Sequence, residues 1–113
     1  IFTFTDFRVG VPLIEKHQQG VDVQGVVEKR SASHDMVATL RHHAIPVLWD
    51  GNPRTMHHKA FVIDNHTVIL GSYNPTQNAF MNNAESMIII QNQAIAQQFV
   101  QEYERIKALS SWQ

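Results

Sequence analysis

The sequence has no cysteine. Disulfides, thiolate metal sites and cysteine nucleophiles are therefore excluded, and the redox compartment is left open. It also has no stretch of about 20 apolar residues; the run Met87–Ile90 is far too short for a membrane-spanning helix. No charged-then-apolar leader pattern is visible at its start. An excess of one charge sign is missing as well: nine Lys and Arg stand against ten Asp and Glu, a formal charge of -1. A global polyanion-binding surface is not indicated, although a local positive cleft stays open.

What is present is enough for a core. The 113 residues are 43% hydrophobic and 17% charged, which excludes intrinsic disorder and fits a single domain over 1–113. Seven histidines are well above ordinary usage and ask for an explanation.

Periodicity sets the expected elements. Ile1 to Thr5 alternates apolar and polar residues, as a strand does. A strand at the first residue suggests that earlier elements are absent. Pro12 suits a first helical turn ahead of Leu13, Ile14 and His17, with Gly20 as a stop. Val21 to Val27 reads as a buried strand, and Ser33 as the cap of a helix carrying Met36, Val37 and Leu40. Pro46 to Trp49 is a short strand closed by Asp50-Gly51-Asn52-Pro53, with Trp49 in the core. Lys59 to Asp64 and Thr67 to Ser72 form a hairpin around Asn65-His66. Pro75 to Asn83 is loop-like with room for one helical turn, Ser86 to Ile90 is a further buried strand, and Ile95, Phe99, Tyr103 and Ile106 make the core stripe of a last helix. The order predicts an α/β domain with a mixed β-sheet flanked by helices on both faces.

The hairpin gathers chemistry. Alternation puts His57, Lys59, Phe61 and Ile63 on one face, and His58 and Asp64 on the other. A two-residue turn at Asn65-His66 would pair Lys59 with Ser72 and His57 with Asn74, and a slip of one residue would undo that. The patch then offers an ammonium, a hydroxyl and an amide to a tetrahedral oxyanion such as a phosphodiester, with Gly71 keeping the backbone accessible. His57 adds a nucleophile or a general acid/base. No metal or cofactor is expected if the cation and amides stabilise the charge developing on the phosphoryl oxygens. Asp64, on the opposite face, reads as support for the fold. Glu85, ahead of an apolar strand, reads on its own as a surface carboxylate. His58 points away from His57, and His17, His34, His42 and His43 read as surface or cap residues rather than metal ligands.

His57-x-Lys59-x4-Asp64 followed by Gly71-Ser72-x-Asn74 resembles the HKD motif of the phospholipase D superfamily. Thr3-Phe4-Thr5, Gly20-Val21-Asp22-Val23, Ile45-Pro46-Val47 and Asn83-Ala84-Glu85 extend the resemblance over nearly the whole chain, most closely to the small bacterial Nuc-type endonucleases. The resemblance implies a phospholipase D-like fold lacking its first strand and helix here. It implies two HKD motifs meeting at an active site, from a homodimer or from two halves of one chain. One histidine attacks phosphorus to give a phosphohistidine and the other protonates the leaving oxygen. Carried over, His57 is nucleophile or acid, Lys59, Ser72 and Asn74 hold the phosphate, and Glu85 orients the histidine ring. Pro75-Thr76 and Ser86 depart from the residues many relatives carry, so the pocket wall is expected to differ. A nuclease acting on DNA or RNA, half of a two-motif phospholipase D acting on phospholipid head groups, and a non-catalytic phosphate-binding domain all fit these residues. The cell compartment is not legible.

Overall fold

A computed structural model describes residues 1–113. Helix α1 spans Phe7–Gln18, earlier than Pro12 suggests. Asp6 is the reason: its carboxylate accepts the N–H of Arg8 and caps the helix, so Pro12 lies inside it. Gly10 and Ile14, one turn apart, form its buried edge. Gly20 ends the segment with φ +92°, a backbone that glycine adopts freely.

Strands β1 (Gly25–Val27) and β2 (Val47–Trp49) are parallel, with helix α2 (His34–His42) as the crossover between them. Only the end of the expected 21–27 strand is regular. Alternate residues of the pair serve opposite layers. Val27, Val47 and Trp49 join Phe4, Ile14, Met36, Val37, Leu40 and Ile45 in the main core. Val26 instead packs with Met56 and Ile106, against Leu48 and Tyr103. Helices therefore cover both faces of the β1–β2 pair.

Residues 1–5 do not form a regular strand. They bridge two sheets: the Ile1 amine donates to Val26 O (2.8 Å), Glu28 N–H to Ile1 O (3.1 Å) and Phe2 N–H to His58 O (3.0 Å). The second sheet has the order β3 (Ala60–Ile63), β4 (Thr67–Gly71), β5 (Met87–Gln91), all antiparallel.

Two expectations fail in this sheet. The hairpin loop holds Asp64, Asn65 and His66, because Ile63 rather than Asp64 pairs with Thr67. Asp64 (φ 56°) and Asn65 (φ 51°) both take left-handed backbone, which Asp and Asn tolerate, and this accommodates the turn without glycine. The register is thus one residue away from the expected one. Strand β5 is also not buried: Met87, Ile88 and Ile89 are 55–62% exposed. An apolar strand with no neighbour beyond it is an open sheet edge, which composition alone does not reveal.

Helix α3 (Gln77–Asn82) fills the loop-like stretch, capped by Thr76 Oγ1 accepting from Ala79 N–H. Helix α4 (Gln93–Leu109), capped by Asn92, packs on β4, β3 and β1. Its fully covered residues are Ala96 and Ile106, while Ile95, Phe99 and Tyr103 are only half-buried. No helix is long and apolar enough to cross a membrane.

Candidate active site

The segment that carries His57 is fixed from behind. Met56 is buried, and its N–H donates to Glu28 Oε2 at 2.8 Å. Glu28 closes strand β1, is 3% exposed, and accepts the Arg30 N–H on its other oxygen at 3.0 Å. A buried carboxylate is thereby satisfied by backbone donors, one of them adjacent to the histidine.

His57 itself is exposed, with its ring against Phe2 at 4.5 Å between centroids. Lys59 folds back onto it. The ammonium lies 3.1 Å from His57 Nδ1, 3.2 Å from Nε2 and 3.1 Å from the His57 carbonyl oxygen. At nearly equal distances from both ring nitrogens, the ammonium lies over the imidazole and not along one lone pair, and its firm acceptor is the His57 carbonyl oxygen. Burial pushes the Lys59 amine down from its ordinary value, and the carboxylate of Glu85 pulls it back up.

The second arm comes from the end of β4 and the start of β5. The Ser72 hydroxyl donates to Glu85 Oε2 and accepts the Ser86 N–H at 3.0 Å. The Asn83 amide donates to Glu85 Oε1 at 3.1 Å. These bonds, Ser72 first, and the Lys59 charge hold the Glu85 carboxyl below its usual range. Asn74 Oδ1 accepts the Thr3 N–H at 3.2 Å. Its side chain is therefore tied to the same short segment that lays Phe2 on His57.

The structure thus gathers His57, Lys59, Ser72, Asn74 and Glu85, but not through the cross-strand pairs the hairpin predicts. Lys59 meets His57 directly and Glu85 through its field. Ser72 spends its proton on Glu85 and not on an open phosphate site. Within the chain Glu85 does not hydrogen-bond the His57 ring; the polar partner of that ring is Lys59. Gly71 has a packing reason: a Cβ there would collide with the Ser86 carbonyl oxygen, so β4 and β5 could not approach. Asp64 stands at the far end of the hairpin with no side-chain hydrogen bond, and its support is confined to the backbone of the turn.

Glu28, Phe2, Asp6 and Arg8 were not legible as site residues. Only Glu28 carries a signal, a carboxylate closing a valine-rich strand. No three His, Cys, Asp or Glu side chains converge as a metal-ligand set. His58 faces away, 3.1 Å from Glu102 Oε1 on α4.

Residues 1–107 match the family described as cardiolipin synthase, PLD-like domain. The chain belongs to this phospholipase D-like family. It is 32% identical over 108 residues to the mitochondrial cardiolipin hydrolase of Homo sapiens, covering 94% of this chain and 43% of that protein. It is 30% identical over 109 residues to a phospholipase D of Rickettsia conorii, covering 95% and 54%. The chain spans about half the length of these relatives. Among solved structures it superposes on Nuc from Salmonella typhimurium, a phospholipase D family member, with a TM-score of 0.89 at 27% identity, covering 96% of this chain and 75% of that one. NucT from Helicobacter pylori, at 20% identity and a TM-score of 0.88 over 98% of this chain and 77% of that one, shares the fold. The Nuc-type phospholipase D fold expected from the motif is the fold observed.

Proposed function

We propose that this chain is the catalytic portion of a metal-independent phosphodiesterase that cleaves nucleic acid through a phosphohistidine. The observation that carries this reading is the Lys59 ammonium resting 3.1 Å from an exposed His57 ring. An arriving phosphate competes for that ammonium. When Lys59 turns to a phosphoryl oxygen, the His57 ring it covered is uncovered and can attack phosphorus.

The attack forms a P–N bond and breaks the P–O bond to the leaving group. A second imidazole gives its proton to the departing oxygen. Water then adds to phosphorus, the P–N bond breaks, and a monoester leaves. Asn74 can serve throughout: its oxygen is engaged by Thr3, which leaves the amide N–H group for a phosphoryl oxygen. Ammonium and amide supply the charge stabilisation for which a cation would otherwise serve. Glu85, gripped by Ser72 and Asn83, opposes the lowering of the Lys59 amine by burial. The second imidazole is assigned to a second copy of this chain, or to another motif in a longer protein, and exposed His57 lies open to it.

The test is plasmid nicking by the purified chain in excess chelator, with acid-labile phosphate trapped on the protein. Cutting in chelator and a trap that vanishes in His57→Ala support the reading. Cutting that stops on chelation, or tight phosphate binding without any turnover, refutes it. A lipid substrate is the second reading, favoured by relatives at 30–32% identity named phospholipase D and cardiolipin hydrolase. Head-group release from cardiolipin without DNA cleavage would select it.

A further inference from the structure

Beside Glu85 lies a cleft of about 420 Å³, lined by Asp6, Arg8, Tyr73, Phe80, Glu85 and Met87 among others, with the two carboxylates Asp6 and Glu85 in its wall. Glu85 lines this cleft and its carboxylate is also held by Ser72, so the cleft borders the candidate active site. Its one cation is Arg8, and the way this residue is held is unusual for a surface arginine.

Asp6 lies behind Arg8 and is 5% exposed, whereas the Arg8 side chain is 47% exposed. Arg8 Nε reaches Asp6 Oδ1 at 2.9 Å and Nη2 reaches Oδ2 at 2.7 Å. One face of the guanidinium rests on the Phe80 ring, 3.8 Å from its centroid. The plane is fixed on one edge and one face, and Nη1 has no partner. Capping α1 does not require any of this. The cap needs only the Asp6 carboxylate and the Arg8 N–H, which already meet at 2.9 Å. The guanidinium is therefore preorganised with an unused donor edge at the cleft, and an anion coming from solvent meets it before the buried Asp6. The carboxylate of Glu85, at the inner end, is committed on both oxygens to Ser72 and Asn83.

We propose that this cleft is a subsite for the phosphate next to the scissile one in a nucleic-acid strand, gripped by the free edge of Arg8. The sugar and base between the two phosphates lie against Phe80, Tyr73 and Met87. The proposal rests on the phosphodiesterase reading for the identity of the neighbouring centre. It gives the chain a local grip on a polyanion that its net charge of -1 does not provide.

Equilibrium binding tests it without turnover. The full chain carrying His57→Ala is titrated with TpT, pTpT and TpTp. One of the two dimers with a terminal phosphate should bind about tenfold more tightly than TpT, the size of one charge-assisted hydrogen bond. Arg8→Gln should bring that ratio to within about twofold of unity. Because Arg8→Gln strands the buried Asp6, the neutral pair Asp6→Asn/Arg8→Gln is measured beside it, with thermal melting to confirm folding, and should give the same collapse. Equal affinity for all three dimers, or a preference that survives in both variants, overturns the subsite. So does a preference for cardiolipin over phosphatidylglycerol without one among the dinucleotides, which would hand the cleft to a lipid. If the ratio behaves as expected but unmutated chain cuts no diester, the proposed reaction fails while the subsite stands.

Discussion

Glu28 Oε2 accepts the backbone N–H of Met56 at 2.8 Å, so the carboxylate that ends β1 sets the position of the residue just before His57. Glu28→Ala should leave the Met56 and Arg30 amides without their acceptor and cost about 1–3 kcal/mol, read from urea unfolding. Turnover should fall more than apparent substrate affinity, because the histidine is displaced rather than removed. Glu28→Gln keeps an oxygen for Met56 and should recover part of both. Unchanged stability in Glu28→Ala would contradict this anchoring.

His57→Ala should reduce diester hydrolysis by about a thousandfold, the scale of a lost nucleophile or acid/base group. Lys59→Ala should lose a comparable factor. Steady-state kinetics on a chromogenic diester measures both, and a His57 variant with near-native rates would end the mechanism.

Glu85→Gln tests the coupling to Lys59. Burial lowers the Lys59 amine and the Glu85 carboxylate opposes it. Removing the carboxylate should lower the amine further. The alkaline limb of the pH–rate profile should then move to lower pH. A limb that stays in place, or moves upward, would show that the two charges do not communicate.

Glu102 predicts a stability change in acid. Arg105 first, and then His58, bring its carboxyl from 4.5 down to about 2. A carboxyl lowered on folding stabilises the native state above its unfolded value, and that contribution drains away as pH falls from about 4.5 to about 2. The side chain is 35% exposed, so solvent screening keeps the effect small. Glu102→Gln should flatten the slope of stability against pH in this window, measured by chemical unfolding at several pH values. An identical slope in wild type and variant would refute it.

Gly71→Ala should cost about 2 kcal/mol, because the new methyl meets the backbone carbonyl of Ser86 rather than a movable side chain. Differential scanning calorimetry reads this directly. An unaltered melting temperature would mean that β4 and β5 can separate freely at this point.

Much of this was open to inspection in the sequence, for identifiable reasons. The His57, Lys59, Ser72 and Asn74 set is chemically distinctive at its spacing, and the residues do gather. Their route to one another was not readable. The pairing of Ile63 with Thr67 depends on Asp64 and Asn65 taking left-handed backbone, a local choice that no alternation pattern records. The side chains converge instead because Lys59 is long enough to fold back, and because residues 1–5 tie His58 and Asn74 into one frame. The exposure of β5 was hidden for a different reason. An apolar run announces a strand but not whether anything covers it. Asp6 was unread because Pro12 offered a nearer helix start.

The adjacent histidines face opposite ways, His57 toward Phe2 and His58 toward Glu102 on α4. One peptide unit therefore separates two environments: a molecule seated on α4 would meet His58 and leave the imidazole of His57 untouched on the opposite side.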